Sequence, residues 1–401
     1  MLEELFYMHN RVVMNVPLKF QRYLYERIDW DSPAVCITGA RGVGKTTLLI
    51  QHYHEKYGDV EQCLYISADN IEVAANGLLN TAKEYFKYGG LALIIDEVHK
   101  YPDWQQELKN ILDTFKDKKI FVSGSSSLGL KSTKADLSRR LDSYDLGGLS
   151  FREYLELKEG LVIAPVSLEK LLKDHVSMAQ KIAHQGSILR SFKHYLTGGY
   201  YPFFMESESA YLSKVLNIIE KVLYEDVVID GKVKASNVPV LKKILWLLAT
   251  SSSFTVNINK MSRDLAISRE YVYEYINYLE SAGLIHCLHS TGKGYALVRK
   301  PQKMFLRNPN LLVAINSHLR SASEQGSLRE TFFVDQLSTI TGVSPDDRGD
   351  FMLADKYVVE VGGSGKSFRQ VRGLKDAYLA VDGIEIGQGN RIPLYMFGFL
   401  Y

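Results

Sequence analysis

Residues 39–46 read Gly-Ala-Arg-Gly-Val-Gly-Lys-Thr, the spacing G-x-x-x-x-G-K-[ST] at every fixed position. Glycines at these places let a backbone curl so tightly that its N–H groups point inward, which suits the oxygens of a polyphosphate. Lys45 then reaches the β- and γ-phosphates, and the Thr46 hydroxyl faces a magnesium ion. The set expected to touch nucleotide is Gly39, Ala40, Arg41, Gly42, Val43, Gly44, Lys45, Thr46 and Thr47. A second chemistry-bearing pair follows the apolar run Leu91–Ile95: Asp96 and Glu97. Asp96 can hold magnesium with Thr46, and Glu97 can orient and polarise an attacking water. The bland alternative is a glycine-rich turn and a strand ending in solvated acids. The two motifs together make that a poor account, because each supplies what the other lacks.

Two further signals sit downstream. Val122 leads into Ser123-Gly124-Ser125-Ser126-Ser127, where a hydroxyl would reach the γ-phosphate or the water; Ser125 is favoured, Ser123 second. Arg139 and Arg140 can stabilise charge that builds during phosphoryl transfer. The glycine-rich stretch Gly362-Gly363-Ser364-Gly365-Lys366-Ser367 is a decoy: Glu360 stands where the first glycine belongs.

Such residues work only if elements place them. Ala34–Thr38 is a short apolar strand directly before the loop, and a helix starts near Lys45 and runs to about Tyr57. Cys63–Ser67, Leu91–Ile95 and Lys119–Val122 read as further strands, and Trp104–Phe115 as a helix. Strands alternating with helices at this spacing predict an α/β fold: a parallel sheet with helices on both faces, and ligands at the carboxyl ends of its strands. Residues 1–30 read as an amphipathic helix carrying Leu18, Phe20, Leu24 and Ile28. The stretch 168–225 reads as several helices interrupted by Gly198-Gly199 and Pro202.

The whole chain constrains little else. It has 401 residues, enough for several domains, and 48 basic against 46 acidic residues for a net charge of +2. That balance gives no global basic field of the kind that marks an obligate nucleic-acid binder. Cys36, Cys63 and Cys287 fit no metal-ligand spacing and are expected to be reduced, in a cytoplasmic protein without a membrane span. The 25 tyrosines have no explanation at this level.

The ordered series GARGVGKT, YISAD (65–69), LIIDEVHKYPDW (93–104), FVSGSSS, LSRR, LSFREYL (149–155) and YLTGGYYPFF (195–204) resembles a group of prokaryotic AAA+ ATPases, many of which carry a C-terminal domain of unknown function related to restriction-type nucleases. The resemblance implies ATP and Mg2+ as ligands. Lys45 and Thr46 match the Walker A pair, Asp96 and Glu97 the Walker B pair, and Arg140 the family's arginine, which is why Arg140 is preferred to Arg139. His99 stands where the family often has glutamine and receives no role. The implied organisation is a P-loop ATPase domain over 1–150, a helical lid over 151–236, a winged helix over 237–306 and a small nuclease-like α/β domain over 307–401.

In the winged-helix region the longer helix, Glu270–Ser281, presents Arg269, Glu270, Tyr271, Glu274 and Tyr275, an acidic and aromatic set that suits packing more than DNA phosphates. In the nuclease-like region Glu330, Asp350 and Glu360 are candidate acids, but Gly362 occupies the lysine position and Lys366 lies on another loop. An inactive domain is favoured. The expected function is Mg-dependent ATP hydrolysis driving a switch on an unidentified protein partner. Nucleotide binding with negligible turnover and ATP-dependent DNA processing with nuclease activity compete with it.

Overall fold

The computed structural model describes residues 1–125, 137, 139–183, 186–227, 233–251, 255–290, 301–367 and 373–401. The chain divides into two compact units, Met1–Gly147 and Gly148–Tyr401.

In the first unit, β1 (Ala34–Thr38), β2 (Cys63–Ser67), β3 (Ala92–Asp96), β4 (Lys119–Ser123) and β5 (Asp142–Asp145) form one sheet in the order β2-β3-β4-β1-β5. Every neighbouring pair is parallel. The inner strands are almost wholly buried, as continuous apolar runs with covered faces must be. Strand β5 reads Asp-Ser-Tyr-Asp and is largely exposed, so its sequence carried no strand signal. It exists because one edge of β1 needed a partner, a demand set by tertiary structure alone.

The helices are α1 (Leu2–Val13), α2 (Lys45–Lys56), α3 (Ile71–Asn76), α4 (Leu78–Lys87) and α5 (Trp104–Thr114). Leu64, Ile66, Leu93, Ile95, Ile120 and Val122 of the sheet share one core with Leu5, Leu78, Ala82, Leu108 and Ile111 of the helices. The expected helix over residues 1–30 is corrected to Leu2–Val13, followed by turns and one short 3-10 segment, Tyr25–Arg27. Pro17 explains the stop: the residue before a proline is pushed out of the helical region. Leu18, placed on the buried side of that helix, is 53% exposed.

Helix α1 does a specific job at the sheet edge. Strand β2 is outermost, and the Tyr65 backbone N–H on its free side donates to His9 Nδ1 at 2.9 Å. His9 is fully buried, and burial holds its pKa down at about 4. An unfolded imidazole takes up a proton near pH 6.5, whereas the folded one resists until about pH 4. Stability is therefore expected to fall as pH drops from 6.5 toward 4, because the unfolded state then binds more protons. His52, buried against Trp30 and also held near 4, acts in the same direction. Urea denaturation at pH 7, 6 and 5 checks this: His9→Gln should flatten the decline, and an unchanged slope would rule His9 out as a source.

The second unit contains helices Phe151–Glu159, Leu168–Ala183, Ile188–Gly198, Tyr211–Lys221, Val238–Thr250, Ile258–Leu265, Arg269–Ser281, Pro309–His318 and Gln325–Ser338. The first begins on a capping box, with Ser150 and Glu153 satisfying each other's backbone N–H groups. Ile285–Leu288 pairs antiparallel with Lys303–Leu306. Residues 291–300, between these two strands, lie outside the described residues. A five-stranded mixed sheet from Val343–Pro345, Phe351–Leu353, Tyr357–Gly362, Ala377–Val381 and Arg391–Pro393 completes the unit.

Six of the 25 tyrosines are explained here. Tyr195, Tyr200, Tyr201, Tyr211, Tyr395 and Tyr401 are all buried. Their hydroxyls reach Leu149 O, Asp335, Asn308, Asn310, Glu385 O and Gln336. A tyrosine contributes a large apolar body while its one polar atom still finds a partner, so this core is held by both burial and a hydrogen-bonded network.

Candidate functional site

The phosphate loop is shaped by its glycines. Gly39, Gly42 and Gly44 have φ of 150°, 81° and 101°. A Cβ on Gly39 would stand 2.4 Å from the Leu146 carbonyl oxygen, so no larger residue fits. The carbonyl of Val43 accepts a hydrogen bond from the Arg22 guanidinium, which also donates to Gly147 O at 2.9 Å. Arg22 is 5% exposed and holds the loop from its protein side. Helix α2 starts at Lys45, so its unpaired N–H groups and positive dipole end face the loop.

The metal-binding and catalytic candidates converge at the carboxyl ends of β1, β3 and β4. The Thr46 hydroxyl donates to Asp96 Oδ2 at 2.8 Å. Lys45 Nζ is buried, donates to Gly39 O at 3.0 Å and Ala40 O at 3.1 Å, and lies 3.9 Å from Glu97 Oε1. Glu97 follows β3 in a left-handed backbone conformation, φ 51°, which turns it away from the strand line. Non-glycine residues adopt that region rarely, and such strain concentrates at functional sites.

Sequence reasoning placed Lys45, Thr46, Asp96 and Glu97 together, and the structure brings them together. It also brings residues that were not assigned. Asp96 Oδ2 accepts from the Tyr65 hydroxyl at 2.9 Å. Asp96 Oδ1 accepts from Ser123 Oγ, which itself accepts from the Glu97 backbone N–H at 3.1 Å. Burial first, then Asp96, pushes the Tyr65 phenol well above its usual range, so it stays a donor. His99 Nε2 is 3.5 Å from Glu97 Oε2, and its Nδ1 is 3.4 Å from the Ser125 backbone nitrogen. Ser125 is buried, and its described contact is through its backbone; Ser123 is the serine that touches the acidic pair. Arg140 is ion-paired with Asp113 at 2.8 Å. The remaining loop members, Arg41 and Thr47, are half-buried.

The donor set suits a magnesium-bound nucleoside triphosphate. It offers backbone N–H groups, one buried ammonium, and a hydroxyl apposed to a carboxylate at a distance that a hard cation, preferring oxygen, can enter.

The second unit gathers the other acids. Lys366 Nζ lies 2.5 Å from Glu360 Oε1 and Lys303 Nζ 3.7 Å from Glu330 Oε2. Asp350 Oδ2 accepts from the Val361 backbone N–H at 2.8 Å. Burial pushes the Glu330 carboxyl up to about 7, against the pull of Lys303. Lys366, four residues beyond Gly362 at the expected lysine position, thus reaches the same acid. Among the described residues no three acidic, histidine or cysteine side chains converge as a metal-holding group. Also among them, no helix is long and apolar enough to cross a membrane.

An uncharacterized protein of Methanocaldococcus jannaschii is 28% identical, the match covering 97% of this chain and 92% of its own. A second uncharacterized protein of that organism is 24% identical over 63% of this chain and 56% of its own. Among solved structures, AMPPCP-bound DnaA from Aquifex aeolicus aligns at 18% identity and a TM-score of 0.28, covering 67% of this chain and 86% of that one. Residues 189–322 match a family described as a domain of unknown function (DUF8612). Residues 31–155 match the family described as an AAA domain. The glycine-rich loop and the five-stranded parallel sheet of the first unit make a P-loop NTPase α/β fold.

Proposed function

We propose that this protein binds Mg-ATP in the loop 39–46, hydrolyses it, and uses the cycle as a switch on a partner protein. The observation that carries the reading is the Thr46 hydroxyl 2.8 Å from the Asp96 carboxylate, beside the buried Lys45 ammonium. Magnesium, when bound, would supply positive charge that neutralises the phosphates. Thr46 and Asp96 would hold it. Lys45 exchanges its loop carbonyls for phosphate oxygens, and the loop N–H groups fix the triphosphate in line. Glu97, freed from Lys45, orients the attacking water, with Ser123 setting the direction of the Glu97 backbone. His99 and Lys100, at 3.5 and 4.0 Å from Glu97 Oε2, limit where that carboxylate can swing. Arg140 would act on charge at the γ-phosphate only after leaving Asp113.

Calorimetry with Mg-ATP tests the binding step. Wild type should show saturable heat, and Lys45→Ala should weaken affinity by at least about tenfold, the loss of a charge-assisted contact. No heat with wild type would remove the reading.

The competing reading, nucleic-acid cleavage by the C-terminal sheet, has less behind it. Glu360 and Glu330 already face Lys366 and Lys303, so the local charge is largely balanced without a divalent ion. The inactive nuclease-like domain and the winged-helix and lid assignments for 151–306 remain part of this proposal. The exposed Tyr271 and Tyr273 on Arg269–Ser281 favour protein packing over phosphate contact.

A further inference from the structure

We infer that Tyr65 is a positioning residue for the magnesium-holding carboxylate, acting on the metal only through Asp96. The inference rests on the nucleotide reading above and deepens it.

An ionised carboxylate offers about four acceptor positions, and Asp96 fills three of them with hydroxyls from Thr46, Tyr65 and Ser123. These three are not equivalent. Thr46 is itself a candidate metal ligand, so its O–H must leave Asp96 for its oxygen to face a cation. Ser123 divides its oxygen between Asp96 and the Glu97 backbone N–H. The Tyr65 hydroxyl is described with Asp96 alone, at 2.9 Å. It shares Oδ2 with Thr46, so after Thr46 leaves, Tyr65 is the described hydroxyl that stays on that oxygen, while Ser123 stays on Oδ1.

The phenol is well held for this. Tyr65 lies opposite Ile94 in the β2–β3 register, two residues before Asp96 on the neighbouring strand. Its ring is 8% exposed, and its backbone N–H is fixed to the buried His9 ring at 2.9 Å. A rigid donor on a rigid strand orients a ligand oxygen without contacting the cation, the general role of groups behind metal ligands.

Titrating a non-hydrolysable ATP analogue into wild type and Tyr65→Phe, in EDTA and in Mg2+, tests this. Affinity in EDTA should match between the two. The gain on adding Mg2+ should be about tenfold smaller in Tyr65→Phe. In an Asp96→Asn background the same change should cost less than about twofold, since coupled residues are non-additive. A full magnesium gain in Tyr65→Phe, or an equal loss in both backgrounds, overturns the inference and leaves nucleotide binding intact. Absence of analogue binding by wild type overturns the nucleotide reading and this inference together. Thermal unfolding without ligand shows whether the variant is folded. If it is not, Tyr65→Met, of similar reach and without a strong donor, takes its place under the same criteria.

Discussion

Replacing Glu97 by glutamine should cut steady-state phosphate release by roughly 10²–10⁴-fold while Mg-ATP affinity stays within a few-fold of wild type. The amide keeps the size and shape of the side chain but can no longer accept a proton from, or strongly polarise, a water. The described partners of the Glu97 side chain are Lys45, His99 and Lys100, so the groups proposed to hold the metal are untouched by a change at its carboxylate. One side effect is expected: loss of the charge 3.9 Å from Lys45 should make the ammonium slightly easier to move toward phosphate. Phosphate release and calorimetry on the same preparations decide the matter. Equal, near-background release from both proteins would leave a binding switch without turnover. Equal and substantial release would move catalysis to another residue.

The second large effect concerns a residue that touches no reactant. Arg22→Met should lower the stability of the fold by about 2–4 kcal/mol and weaken Mg-ATP binding as well. The guanidinium is buried and donates to the Val43 and Gly147 carbonyls, which methionine cannot satisfy. Those acceptors would then be desolvated without a donor, and the phosphate loop would lose the contact that sets its curvature from behind. Urea denaturation and calorimetry measure the two consequences separately. A stability change below about 0.5 kcal/mol would show that water replaces the guanidinium without cost.

Lys45, Thr46, Asp96 and Glu97 were legible in the sequence because their chemistry is encoded locally: a glycine spacing, a hydroxyl after a lysine, two acids closing an apolar run. The inner strands were legible for a related reason, since Ala34–Thr38 and Ala92–Asp96 are apolar on both faces. What sequence could not give depends on register and on distant chain segments. Tyr65 meets Asp96 only once β2 pairs with β3 in a particular alignment. Ser123 rather than Ser125 touches the acids because β4 carries its hydroxyl to Asp96, and both serines looked alike in a serine run. Arg22 reaches Val43 and Gly147 across large separations with no motif to flag it. Strand β5 was missed because solvent, not a core, faces most of its side chains. The long first helix expected over residues 1–30 stops at Val13, because apolar periodicity alone carries no information about the break that Pro17 imposes.

His9 bears on how this protein is handled. Strand β2 has an open flank, and helix α1 with its imidazole covers it. Trimming the first dozen residues to shorten a recombinant version would uncover an apolar segment, Cys63-Leu64-Tyr65-Ile66, with a backbone amide left seeking an acceptor. Another molecule's strand is the readiest source of one. Such a truncation should yield soluble aggregates or inclusion bodies, and the loss would be a failure of colloidal behaviour, separate from any defect in the phosphate loop.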